Sequence, residues 1–322
     1  MTKRTKKKKK LSLLALILCL IFGFLGYLCG NGTIPLPDIL SDLFPTSGPT
    51  LPAQPVEGVL TVHYIDVGQG DSFLLSCGGE YMLIDCGDSG RGDDVVAYLQ
   101  QLGVTKLDYL VGSHPHADHM ADMDEILEAF PVETFWTPEL ISEALGKKFI
   151  QRTLAAAEAQ NLTPVMPELN TAYSLGDAQI LVLGPTQSYS DPNDQSLVIL
   201  VQFGSTRFLF TGDMEEQAEH DMLEYWNNDA MFQSDVLKVG HHGSDTSTHY
   251  RFLRAVDPDY GVISVGTGNS YGHPVDSTMK SLGAAEVLTY RTDYLGTIVA
   301  TSDGTDITFS WSNTGEEPYI PD

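Results

Sequence analysis

The chain has 322 residues, enough for one large domain or two small ones. Its 42% apolar content is that of a globular protein with a sizeable core rather than a disordered chain. Seven of its 18 Lys and Arg fall in the first ten positions while all 43 Asp and Glu come later, so the remainder carries a formal −32, which excludes a broadly basic surface for polyanions.

Residues 1–10 read as a basic cytoplasmic tail. Residues 11–30 follow without a single charge, and twenty helical residues match the thickness of a bilayer core. The segment closes on Leu28-Cys29-Gly30 with no clear small-x-small site. It is therefore expected to be an uncleaved transmembrane signal anchor, with the lysines in the cytoplasm and the bulk of the chain extracellular at the cell membrane. Cleavage would make the chain secreted, and Gly26-Tyr27-Leu28 is a poor lipobox for Cys29. Residues 31–57, with six prolines among Gly, Ser and Thr, read as a semi-extended linker.

Residues 58–322 are expected to form one domain. Alternating apolar residues and glycine turns predict strands over 59–67, 72–76 and 81–85. Helical spacing predicts a helix over 94–102 that stops at Gly103. A buried strand over 107–111 leads into a histidine cluster. Helices over 123–130 and 146–160 follow, then strands over 179–183, 196–203 and 207–211. A helix over 215–225 and strands over 236–239 and 260–264 complete the pattern. It suggests α/β layers with a site at one sheet edge. Cys77 and Cys86 lie at opposite ends of a hairpin, too far apart for a disulfide, and read as small buried apolar residues.

The chemistry concentrates in Ser113-His-Pro-His-Ala-Asp-His119. Three imidazoles and a carboxylate on a loop leaving a strand are the usual ligands of Zn²⁺ and similar ions. The i, i+2 spacing lets His114 and His116 hold one metal, while Asp118 and His119, further round the turn, reach a second about 3.5–4 Å away.

HPHADH resembles the HxHxDH signature of the metallo-β-lactamase superfamily. VHYIDVGQGDSFLL at 62–75, LIDCG at 83–87, NDQSLVIL at 193–200 and FLFTGDME at 208–215 narrow the likeness, as do LKVGHHGS at 237–244, ISVGTGNSYGHP at 263–274 and RTDYLGTI at 291–298. Over residues 58 to about 311 the chain resembles the β-lactamase-like domain of the competence protein ComEC, without its channel. The resemblance implies an αββα four-layer sandwich, two divalent metal ions (zinc or manganese), and metal-dependent hydrolysis with nucleic acid as the suspected substrate.

Asp213, one glycine after a strand, is expected to bridge the metals. His241 and His242 compete to complete the second metal's shell, with His242 favoured by the Gly243-Ser244 that follows. Asp85 is expected to accept a hydrogen bond from a ligating histidine, and Asp71 and Asp66 frame the GQG turn. His273 could bind a phosphate oxygen or protonate the leaving group, beside Asp118 and Asp213 as catalytic groups. Ser244, Asn269 and Tyr271 are candidates to line the pocket, whereas His63, His220 and His249 read as structural. Between the first cluster and Asp213 the superfamily's further histidine is missing, and Asn193 or Asp194 could supply an oxygen instead. That oxygen-rich shell brings Mn²⁺ into competition with Zn²⁺.

The expected reaction is hydrolysis of a phosphodiester in DNA or RNA by water activated on the metals. A small phosphodiester, such as a choline-phosphate ester or a nucleotide, needs no basic groove and is the alternative. A third possibility is a non-catalytic module that presents DNA for competence. Arg251, Arg254 and Arg291 discriminate among these readings: clustered near the metals they would favour long nucleic acid, and pointing away they would count against it as the substrate.

Overall fold

The computed structural model describes residues 57–322. The tail, the anchor and all but the last residue of the linker lie outside the described residues. Among the described residues no helix is long and apolar enough to cross a membrane.

The chain opens with a meander, β1 (Leu60–Tyr64), β2 (Phe73–Cys77) and β3 (Glu80–Ile84), followed by α1 (Gly92–Gln101) and β4 (Leu107–Val111). Next come α2 (Ala117–Met120), α3 (Met123–Ala129), β5 (Val132–Trp136), α4 (Ser142–Leu145) and α5 (Lys148–Ala159). A second set of strands, β6 (Ala172–Leu175), β7 (Ala178–Gly184), β8 (Val198–Phe203) and β9 (Thr206–Phe210), precedes α6 (Glu216–Trp226). The remainder is β10 (Val236–Lys238), α7 (Tyr250–Val256), β11 (Tyr260–Ile263), α8 (Asp276–Ala284), β12 (Leu288–Arg291), α9 (Thr292–Leu295), β13 (Ile298–Ser302) and β14 (Ile307–Trp311).

These strands form two seven-stranded sheets, ordered β14-β13-β1-β2-β3-β4-β5 and β12-β11-β10-β9-β8-β7-β6. Each is antiparallel through one half and parallel through the other, with β3, β4 and β5 parallel in the first and β9 to β12 in the second. Parallel neighbours need covered crossovers, which is where the helices go.

The period of two along a strand assigns each face. Phe73 and Leu75 of β2 meet Ile199, Val201 and Phe203 of β8 in the core between the sheets. The intervening Leu74 and Leu83 pack instead beneath Val95 and Leu99 of α1, Ile126 of α3 and Ile150 of α5. On the other side, Val198, Leu200 and Leu209 pack beneath Met222 of α6, Phe252 of α7 and Leu282 of α8. The result is helices, sheet, sheet, helices: the αββα sandwich expected from the sequence.

Several local expectations change. Strand pairing in β1 stops at Tyr64, because Ile65 to Val67 already turn toward the Gly70 bend. The helix expected over 146–160 begins at Lys148 and is preceded by the separate turn of α4. Strands β5, β6 and β12 to β14, and helices α2, α4 and α7 to α9, have no counterpart in the sequence expectations, and the histidine loop itself closes into the short helix α2. Cys77 and Cys86 are free and buried.

His63 in β1 contacts the Tyr98 hydroxyl through Nδ1 at 2.9 Å, and burial lowers its pKa from 6.5 to about 4. A folded-state pKa below the unfolded one gives stability that is complete above about pH 6.5 and lost as pH falls towards 4. At 1.36 kcal/mol per unit this is at most about 3.5 kcal/mol. His63→Gln is expected to flatten the decline of the urea midpoint between pH 6.5 and 4; an unchanged slope would assign that decline to other groups.

Candidate metal centre

The candidate residues sit where parallel strands end at one edge of the sandwich. β3 runs into Asp85, β4 leads through Ser113 to His114, β9 leads through Gly212 to Asp213, and β10 leads to His241 and His242. Two glycines let these loops close on one another. Gly70, at φ +121°, lies against the Asp118 carbonyl, which accepts from the Asp71 N–H at 3.1 Å. Gly212, at φ +51°, turns β9 under the Ser196 hydroxyl, which contacts the Asp213 backbone nitrogen at 3.1 Å. A side chain at either glycine would push a functional loop away.

Asp118, His119, Asp213 and His242 bring one ligand atom each within 4.8 Å of one another. His119 Nε2 lies 3.2 Å, and His242 Nε2 3.3 Å, from the same Asp213 oxygen, Oδ2. His242 Nε2 is also 3.3 Å from Asp118 Oδ2 and has no hydrogen-bond partner although buried. Beside this group, His114 Nε2 and His116 Nδ1 converge at 3.1 Å, with His114 Nε2 3.8 Å from Asp213 Oδ2. Buried imidazoles and carboxylates crowded this closely, one imidazole nitrogen among them left without a hydrogen-bond partner, are a costly arrangement unless a cation joins them. The residues therefore fit divalent metal ions.

Hydrogen bonds orient the imidazoles, as ligating histidines require. Asp85 Oδ2 faces His119 Nδ1 at 2.8 Å and accepts from the Ser113 hydroxyl at 2.6 Å, while Oδ1 accepts from the Ser113 N–H at 2.7 Å. His242 Nδ1 donates to the Ser264 carbonyl at 2.9 Å.

Burial opposes the charged forms of His119 and His242, yet the surrounding carboxylates outweigh it and hold both well above the ordinary histidine value, Asp213 leading in each case. For Asp213 burial likewise opposes charge, but His242, His119 and Lys238 carry it well below the carboxylate range. His114 shifts the other way, lowered by burial and by the His119 charge. A metal arriving beside His119 and His242 displaces their protons, so its affinity rises with pH.

Lys238 is a functional residue that sequence reasoning missed. Its side chain is fully buried in β10, with Nζ 2.5 Å from Asp71 Oδ2, 3.4 Å from Asp213 Oδ1 and donating to the Gly212 carbonyl at 2.8 Å. It occupies Asp213 Oδ1 and leaves Oδ2 to the histidines. The signal was available: a lysine inside the apolar strand VLKV must have buried partners.

A cleft of about 340 Å³ opens above the cluster, lined by Gln69, His116, Asp118, Asn193, Asp213, His241, His242, Tyr271 and His273. Asn193 donates to Glu215 Oε1 at 3.0 Å, while its own buried oxygen has no partner. His241 lies half-buried on the wall, its Nε2 3.7 Å from Asp213 Oδ2 and its Nδ1 held by Thr246 and Glu215. His242, not His241, belongs to the four-residue group. His273 is pushed below the ordinary histidine value by burial and by His241.

Other candidates lie elsewhere. Asp194 does not face the cleft: its Oδ1 caps α6, accepting from the Glu215 N–H at 3.1 Å and the Ala218 N–H at 3.3 Å. Ser244 is a buried turn residue paired with Thr246, and Asn269 pins its own loop. Asp66 is exposed and accepts from the Gly68 N–H. Asp71 does join the site, through Lys238 and through His242 Nδ1 at 3.4 Å. Arg251 pairs with Asp229, Arg291 pairs with Asp293, and Arg254 is exposed on α7; none of the three lines the cleft.

Two sheets sandwiched by helices, with a His and Asp cluster at the strand ends able to bind metal ions, define a metal-dependent hydrolase fold. The chain belongs to the metallo-beta-lactamase superfamily, whose Lactamase_B profile matches residues 65–267. It is 29% identical over 257 residues to ComE operon protein 3 of Bacillus subtilis, covering 74% of this chain and 32% of that protein. It is 29% identical to Competence protein ComA of Neisseria gonorrhoeae, over 72% of this chain and 31% of the relative. With Recombination protein 2 of Haemophilus influenzae the identity is 32%, over 69% and 26%. The chain thus spans about a third or less of these relatives, and the resemblance to competence proteins read from its motifs rests on them.

Proposed function

We propose that the chain is a metal-dependent phosphodiesterase that cleaves nucleic acid at a site contacting few phosphates. The observation that carries the reading is the convergence of Asp118, His119, Asp213 and His242, with His114 and His116 beside them, in the cleft. Nucleic acid as substrate is supported by relatives named for competence and recombination.

Two divalent ions, zinc or manganese, would share Asp213, one also held by His114 and His116, the other by Asp118, His119 and His242. Asn193 lines the same cleft with a buried, unpartnered oxygen, and as a ligand it would tilt the choice towards the harder manganese. Once bound, such ions lower the pKa of water and stabilise negative charge on phosphoryl oxygens. With the ions in place, the Asp118 and Asp213 carboxylates would orient that water. Lys238 holds Asp213 in place from beneath. His273, held below the ordinary histidine value by burial, would offer a ring N–H as a hydrogen-bond donor to a phosphate oxygen.

A specific observation favours a second reading, hydrolysis of a small phosphodiester: Arg251, Arg254 and Arg291 leave the cleft without a basic track. Incubating the full chain with single- and double-stranded DNA, RNA and bis(p-nitrophenyl) phosphate under Mn²⁺ or Zn²⁺ separates the two. Oligonucleotide cleavage is expected, and it should fall less than about tenfold between 50 and 200 mM salt, because few phosphates are neutralised. Turnover of the small diester alone would establish the second reading. Binding of DNA with no turnover at all would leave the DNA-presenting module.

The reading includes an anchor at 11–30 with the domain outside the cell membrane, supported by twenty uncharged residues after seven Lys and Arg. Protease added to intact cells should then remove the domain; its protection would place it inside.

A further inference from the structure

Resting on the phosphodiesterase reading, we infer that Tyr271 is a stacking platform for an unpaired nucleobase of the substrate, with the Gln69 amide at its edge. Tyr271 is 67% exposed; Tyr250 and Tyr225 are exposed too, but Tyr271 alone among the large exposed hydrophobics of the described residues lines the cleft. One face of its ring lies over His273, with centroids 5.7 Å apart and planes 25° from parallel.

The ring stands on a braced loop. Asn269 Oδ1 accepts from the Tyr271 N–H at 3.1 Å and the His273 N–H at 3.0 Å, while Nδ2 donates to the His273 carbonyl at 2.7 Å and the Gly266 carbonyl at 3.0 Å. Gln69, which also lines the cleft, reaches the same loop, its Oε1 accepting from the Gly266 N–H at 3.3 Å. An exposed aromatic braced in this way has its loop conformation fixed before a ligand arrives.

Charge gives the platform its importance. Past residue 10 the chain carries 11 basic residues against 43 acidic ones, and none of the 11 lines the cleft. Lys147, the basic residue beside His116, is tied to the Pro115 carbonyl. Side-chain cations therefore give a nucleotide's phosphates little hold in the cleft, and beyond any bound metal ions the remaining source of affinity is the base. Stacking on an aromatic ring serves every base and is insensitive to the surrounding negative charge. A paired base has its faces covered by its neighbours, so the platform selects unpaired nucleotides.

The test compares a fluorescein-labelled (dT)6 with an abasic hexamer of the same phosphate backbone. Anisotropy measures binding to the full chain without added metal, and cleavage under Mn²⁺ is followed in parallel. The wild type is expected to bind (dT)6 about tenfold more tightly than the abasic strand, and the difference should appear in KM rather than kcat. Tyr271→Ala should reduce that discrimination to about one, and Tyr271→Trp should restore it. Equal binding of both strands by the wild type would overturn the platform, as would discrimination that survives Tyr271→Ala. If (dT)6 discrimination follows Tyr271 but neither strand is cleaved, the platform stands and the phosphodiesterase reading fails.

Discussion

Asp213→Asn is expected to lower kcat/KM for any phosphodiester substrate by about 10³-fold or more, with a matching loss of bound metal. The substitution keeps size and shape and removes only the charge. Asp213 Oδ2 is the one oxygen within 4 Å of His114, His119, His241 and His242 together. A neutral amide there removes the shared anion between the two proposed ions and leaves Lys238 answered by Asp71 alone. Loss of several kcal/mol of charge stabilisation corresponds to three or more powers of ten in rate. Turnover within tenfold of wild type, with full metal content, would remove Asp213 from the centre.

Lys238→Met should destabilise the metal-free chain by about 3–5 kcal/mol, because it strands buried carboxylates without their cation. Asp71 and Asp213 are both essentially inaccessible to water, and the ammonium is the nearest positive group to each of the oxygens it faces. For a domain of this size the loss corresponds to roughly 6–20 °C in Tm. Adding Asp71→Asn to the same chain should recover about half of it, because the orphaned charge itself is then gone. Thermal unfolding of the wild type, both single variants and the double variant measures the coupling. Strictly additive losses would mean that the 2.5 Å contact contributes nothing to stability.

The parts of the site that could be read in the sequence are those whose chemistry is concentrated locally. Three imidazoles and a carboxylate within six residues have no ordinary packing explanation, and TGD and GHHGS after apolar strands place their groups at strand ends. What could not be read depends on where separate loops meet. Asp194 and Asn193 are adjacent and equally suited to offer an oxygen, but the first N–H groups of α6 claim Asp194, and only Asn193 turns to the cleft. The role of Asp71 depends on Lys238, which lies 167 positions away.

Among the elements, the central strands announced themselves by alternation or unbroken apolar runs. β6 is a short, half-exposed edge strand, AYSL, with little apolar contrast, whereas β14, ITFSW, alternates strictly and its period of two was there to be read. Helix α8, DSTMKSLGA, buries only Thr278 and Leu282 and carries a glycine, so its stripe is too thin to read.

The most direct test is a metal titration of the metal-depleted full chain with Mn²⁺ or Zn²⁺, following bis(p-nitrophenyl) phosphate turnover and bound metal together. A two-metal phosphodiesterase should show no turnover before metal is added, activity that saturates as two equivalents bind, and neither effect in Asp118→Ala. Turnover without metal, or two equivalents bound with no turnover of this diester or of any oligonucleotide, would contradict the account.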